Sequence, residues 1–223
     1  MKKNISWKKA ALLVAVSALL FTACRKNDYY IDGGLSAQSE AEKKMLLYDF
    51  LASRSNHMFD SLVKIIDLTN AKDLVNKPGI TFFAAPNTAV ARLQMNYNPD
   101  DRQTLKPLEG IGKDTLLNLL KRFIITDGRI SLEQAVNDKS KFYQAANGDS
   151  VYINGKGGGT GATSSIQTSA YYLEYVHVKI PGVDSTRFTG SIQTHNLITA
   201  NATVHVLTNG ASFASGLKQR YNR

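Results

Sequence analysis

Four histidines, one cysteine, a glycine-rich run and a tyrosine-rich stretch are the parts of this 223-residue chain whose side chains could do chemistry. The histidines, His57, His177, His195 and His205, do not fall at metal-ligand spacing and have no second cysteine to join them, so a zinc site is not expected. Gly155-Lys156-Gly157-Gly158-Gly159-Thr160-Gly161 has the composition of a phosphate loop but not its order. No Gly-Lys-Ser/Thr follows a four-residue gap after a glycine, and no helical pattern follows. It reads as a surface loop between strands. The acidic residues are scattered, and no Gly-x-Ser-x-Gly nucleophile elbow occurs. No catalytic residue, metal or cofactor is therefore expected. Tyr143, Tyr152, Tyr171, Tyr172 and Tyr175 crowd one region. They suit a binding face or sugar stacking as well as cross-strand pairs on a half-exposed sheet.

Cys24 is the only cysteine, so no disulfide can form within the chain. It stands at the end of a targeting segment. Lys2, Lys3, Lys8 and Lys9 form a positive leader, and Ala10 to Phe21 is apolar except for Ser17. About 12 residues are too few for a hydrocarbon core that needs about 20. Leu20-Phe21-Thr22-Ala23-Cys24 resembles a bacterial lipobox, with Phe21 where leucine is commonest. The resemblance implies lipidation at Cys24, and several acyl chains there would hold the protein on a membrane. Arg25 stands where an aspartate would favour inner-membrane retention, which points to the bacterial outer membrane. Which face of that membrane the protein would occupy stays open.

The remaining 23 basic residues, out of 27 once those four lysines are set aside, stand against 18 acidic ones. This mild excess forms no long run, so nucleic acid is not an expected partner. The expected organisation is a signal peptide at 1–23, a tether at 24–38, a domain at 39–212 and a C-terminal tail at 213–223. From Cys24 to about Ser36 the tether reaches at most ~40 Å.

Within the domain, Glu40 to Phe50 has a helical pattern. Phe59, Leu62, Val63 and Ile66 lie at i, i+3, i+4 and i+7, as do Leu116, Leu119, Leu120 and Phe123, and each set predicts a helix with one buried face. Ala71 to Val75 reads as a short helix and Asp114 as an N-cap. Thr81 to Ala84 reads as a buried strand, stopped by Pro86 and followed by a helix that Asn87 would cap with its side chain. Phe82, Phe83 and Leu93 are expected in the core. From Phe142 onward the pattern turns to strands, with Asn147-Gly148 predicting a two-residue hairpin and further strands at Tyr171 to Ile180, Ser191 to Thr199 and Thr203 to Leu207. Helices first and strands later argue an α+β fold.

Thr81-Phe82-Phe83-Ala84-Ala85-Pro86-Asn87-Thr88-Ala89-Val90 resembles the first signature of the fasciclin domain, Thr-x-Phe-Ala-Pro-x-Asn-x-Ala-Phe. Ser191 to Leu207 resembles its closing signature, with Asn201, His205 and Leu207 matching and Ala202 in place of a glycine. Leu116 to Ile130 resembles the helix and strand between them. The resemblance implies a wedge-shaped α+β fold, a bent β-sandwich flanked by helices from the N-terminal half. Thr81, Phe83, Pro86, Asn87, Asn201 and His205 are the residues carrying the fold signature. It implies a non-enzymatic adhesion or binding module, here a lipid-anchored one of the type found in Bacteroidota, with a protein or polysaccharide as the unknown ligand. An accessory binding component of an outer-membrane polysaccharide-uptake system is the alternative. Asn196-Leu197 and Arg122-Phe123 stand where animal members carry Asp-Ile and Tyr-His pairs tied to receptor binding, so that recognition is not expected here. His205 and Asn201 are expected to serve the fold.

Overall fold

The computed structural model describes residues 38–96, 104–138, 140–156, 172–177, 188–211 and 213. The leader, Cys24, Tyr171 and all but the first two residues of the glycine-rich run lie outside them. Within them the helices come first: α1 (Glu40–Lys43), α2 (Leu47–Ala52), α3 (Asp60–Leu68) and α4 (Lys72–Val75) precede strand β1 (Ile80–Ala84). Helices α5 (Asn87–Asn96) and α6 (Lys113–Arg122), strand β2 (Ile124–Ile125) and helix α7 (Leu132–Asn137) follow. Strands β3 (Ser140–Gln144), β4 (Ser150–Lys156), β5 (Tyr172–His177), β6 (Phe188–Ile198) and β7 (Ala202–Leu207) complete the order.

The apolar periodicities fold as the sequence predicts. Leu116, Leu119, Leu120 and Phe123 are all buried, as are Leu62 and Ile66, and α3 packs against α2, α5 and α6. Phe82, Phe83 and Leu93 are fully buried. The Glu40–Phe50 pattern divides into two helices instead of one. Ser39 and Glu42 form a capping box at the start of α1, which ends within a turn and a half. Asp114 is not an N-cap. Gly112 holds that position and Asp114 lies in the first turn of α6, where its charge still suits the helix dipole.

The sheet is α+β in character and runs β2-β1-β7-β6-β5-β4-β3. All neighbouring pairs are antiparallel except β1 and β7, the second and third strands in that order, which are parallel from Ile80↔Ala202 to Ala84↔Val206. Strand β6 serves two neighbours. Phe188 to Ser191 pair with β5, and Ile192 to Ile198 pair with β7 through two register shifts. Such bulges bend a strand, so the sheet turns at β6 into two halves. A single bridge, Ile125↔Ala145, draws the end of β3 back to β2.

One local expectation changes at the turns. Ala145 N–H donates to the Asp149 carbonyl at 2.8 Å and Gly148 N–H to the Ala145 carbonyl at 2.8 Å, so the β3–β4 loop has three residues, not two. Gly148 closes it at φ 89°, a conformation that a side chain would strain. Ala202, which replaces the glycine of the closing signature, is not among the residues with positive φ and opens β7 as ordinary strand. Phe213, the first residue of the expected tail, belongs to the packing of the domain. Phe213 is buried, stacks on Phe123 at 5.0 Å and donates its N–H to the Ala89 carbonyl.

Candidate functional site

Thr81, Phe83, Pro86, Asn87, Asn201 and His205 lie in and around the β1–β7 pair, and the polar side chains among them hold other parts of the chain. Thr81 Oγ1 donates to the Gly128 carbonyl at 2.7 Å and accepts from Ile130 N–H at 2.8 Å. A β-branched hydroxyl in a buried strand is satisfied in this way, and the segment 128–130 is pinned to β1. The Ile130 carbonyl in turn lies 2.8 Å from His205 Nε2, so that nitrogen carries the proton and donates. His205 Nδ1 accepts from Asn196 N–H at 3.3 Å. The ring is fully buried, and Phe83 stacks on it at 5.5 Å. His195 meets it edge-on at 6.3 Å. Burial lowers His205 to about 3 and His195 to about 4, so both imidazoles are neutral at ordinary pH. With both its nitrogens engaged, His205 has the bonding of a fold residue rather than of a general base.

The asparagines do something the sequence did not reveal. Four of them cap helices to which they do not belong. Asn87 was expected to cap α5, but its Oδ1 accepts from Ser61 N–H in the first turn of α3 at 2.9 Å, while its Nδ2 donates to the His57 carbonyl at 2.7 Å. The Pro86 carbonyl instead accepts from Ala89 and Val90 at the start of α5. Asn201 Oδ1 accepts from Leu47 N–H at the start of α2, and its Nδ2 donates to the carbonyls of Val75 and Lys77 at the end of α4. Asn76 Oδ1 accepts from Tyr48 N–H, also in α2. Asn196, at φ 54°, accepts from Leu132 N–H at the start of α7. Helices α2 and α3 have no side-chain cap of their own, so the orphan N–H groups of their first turns are met from outside. Replacing Asn87 by alanine is expected to cost about 1–2 kcal/mol, since one part-buried cap and one carbonyl partner go together. Urea unfolding of the variant checks it, and a shift below a few tenths would show that α3 keeps its start without help.

Asn196-Leu197 and Arg122-Phe123 are used internally. Leu197 and Phe123 are buried, and Asn196 is the cap just described. Arg122, the last residue of α6, is buried and donates from Nε to Asp149 Oδ2 at 2.9 Å. Asn147 Nδ2 donates to the same oxygen at 2.8 Å. The β3–β4 loop is thereby fastened to α6.

The outward face of that hairpin is where an exposed aromatic stands. Phe142 is 63% exposed and its ring meets Tyr152 across the strands at 5.1 Å, tilted by 53°. Tyr143 lies on the opposite side, packed against the core with Lys141 over its ring at 5.3 Å. The tyrosine cluster thus divides between an inner and an outer face, and Tyr172 and Tyr175 occupy positions on β5. Among the described residues no three His, Cys, Asp or Glu side chains gather at metal-binding distance, and no helix is long and apolar enough to cross a membrane. His57 is exposed beside Asp60 at 3.3 Å.

No protein-family profile and no curated protein matches this chain. Among solved structures it is similar to a FAS1 domain pair from the insect cell adhesion molecule fasciclin I, with a TM-score of 0.47 and 14% sequence identity. The similarity covers 69% of this chain and 45% of that one, so it spans less than half of the solved pair.

Proposed function

We propose that the chain is a lipid-anchored, non-enzymatic binding or adhesion module of a bacterial envelope, with a protein as its ligand. The observation that carries the binding reading is the exposed Phe142, paired with Tyr152 on a hairpin that the Arg122–Asp149 ion pair fastens to α6. An exposed aromatic on a fixed support contributes contact area at little cost in conformational entropy. The 53° tilt between the rings makes a ridge, which fits a protein pocket better than the flat face of a sugar ring. The signature residues support the same reading, because their polar groups are spent on helix caps and loop clamps. Anchoring rests on Cys24 and the apolar run before it. Placement on the outer membrane rests on Arg25.

Two variants test the two halves of the reading separately. Cys24→Ala is expected to move the protein from the membrane fraction to the soluble one and to abolish labelling by a palmitate analogue. Continued partitioning with membranes would refute the anchor. Phe142→Ser is expected to fold as the parent does and to lose at least tenfold in capture of its partner from intact cells, with surface protease shaving reporting orientation. Unchanged capture by this variant would move the binding face elsewhere.

A further inference from the structure

His205 sits where one proton would conflict with three elements at once. Its Nε2–H is committed to the Ile130 carbonyl, and its Nδ1 can accept from Asn196 N–H only while it has no proton. Asn196 belongs to the part of β6 where the register with β7 shifts, between Thr194 and Leu197, and it holds a left-handed backbone conformation. Its side chain is the cap on α7, and α7 packs chiefly on β4. The chain His205–Asn196–Leu132 therefore joins the central strands to the β3–β5 half of the sheet by two hydrogen bonds in series.

We propose that His205 is a proton-operated latch: a proton taken up at Nδ1 displaces the Asn196 N–H and with it the cap on α7, so acidification selects a form of the domain opened at the β6 bend. The proton comes from solvent, and the product is an imidazolium whose Nε2–H still faces Ile130. The elements around the ring offer little to offset its charge. Strand β1 presents Phe83, and neither β1 nor β7 has another titratable residue. From β6 His195 faces the ring, a second base whose charge would oppose that of His205. On the 128–130 segment Arg129 is turned to the carbonyls of Thr199 and Ala200, and on α7 Glu133 is exposed.

The sign follows from the burial. The closed form keeps His205 neutral down to about 3, whereas in an opened form the ring titrates near its ordinary value of about 6.5. Above that value closed and opened forms bind the same number of protons and the latch is fully set. Below it the opened form gains up to about tenfold in population per pH unit.

Amide hydrogen exchange on the full chain, corrected for the intrinsic pH dependence, tests this between pH 7.5 and pH 5. Protection at Asn196 and Leu132 is expected to fall by up to about tenfold per unit below pH 6.5, ahead of protection at Phe82 and Val204. His205→Gln supplies a donor for Ile130 and an acceptor for Asn196 without a titrating ring, and is expected to flatten that dependence. His195→Gln is expected to lessen it without removing it, because His195 is a second buried imidazole on β6 that takes up a proton of its own on opening. The proposal is overturned if His205→Gln retains the slope or if His195→Gln removes it. Should His205→Gln fail to fold, the parent protein decides: protection at Leu132 that falls with acidification no faster than protection at Phe82 and Val204 also overturns it.

Discussion

Alanine at position 201 is expected to destabilise the domain by about 3–5 kcal/mol, read as a lower urea midpoint with an unchanged slope. Asn201 is buried, and one side chain serves both the start of α2 and the end of α4. Its loss leaves the Leu47 N–H and the Val75 and Lys77 carbonyls without partners. Each such group costs about 1–3 kcal/mol when water cannot reach it, and the exposed Lys77 carbonyl region lets some water in. Asn201→Asp should fare no better, because it keeps the acceptor for Leu47 but turns a carboxylate oxygen toward two carbonyls. A cost below about 1 kcal/mol for alanine would mean that α2 and α4 find other partners, and the capping account of this residue would fail.

Arg122→Ala is expected to cost about 3 kcal/mol, with Asp149→Ala close behind. The side chains are only 5% and 14% exposed, so removing either partner strands a charge in a poorly hydrated place. A double-mutant cycle separates this from simple loss of packing. The double alanine variant should cost clearly less than the sum of the singles, since neither charge is then left alone. If Arg122→Ala costs the same with and without Asp149, the pair does not fasten the loop. Because the loop carries β3 and its exposed Phe142, the single variants should also weaken partner capture more than Phe142 exposure alone would suggest.

What could be read from the sequence and what could not divide by distance along the chain. The buried faces of α3 and α6 were legible because the residues at i, i+3, i+4 and i+7 announce a face without reference to anything else. The buried strand at Thr81 to Ala84 was legible for a similar reason, as a short apolar run between a Pro-Gly and a proline. Asn87 was recognised as a cap and assigned to the wrong helix, because the rule is local and the bond it makes reaches Ser61, 26 residues away. The role of Asn201 depends on Leu47, 154 residues away, and no local pattern encodes it. Arg122 was hidden by its chemistry, since an arginine at the end of a helix usually points to water and this one is covered by a loop from β3–β4. Of the candidate face, the tyrosine-rich region was visible, but the exposed ring that the structure describes there, Phe142, is a phenylalanine beside it.

The parallel pairing of β1 with β7 has a consequence for how the molecule comes into being. These two neighbouring strands lie more than a hundred residues apart in the chain, at Ile80–Ala84 and Ala202–Leu207. Helices α2 to α4 can form early, yet Asn201 must arrive before α2 is capped, and Phe213 must arrive before Phe123 has its stacking partner. A nascent chain lacking its last dozen described residues has no β7 to stand between β1 and β6. Closing so long a loop makes folding slow, on the order of milliseconds to seconds. Until then β1 is an apolar edge without a neighbour on that side, the segment most in need of a chaperone's cover.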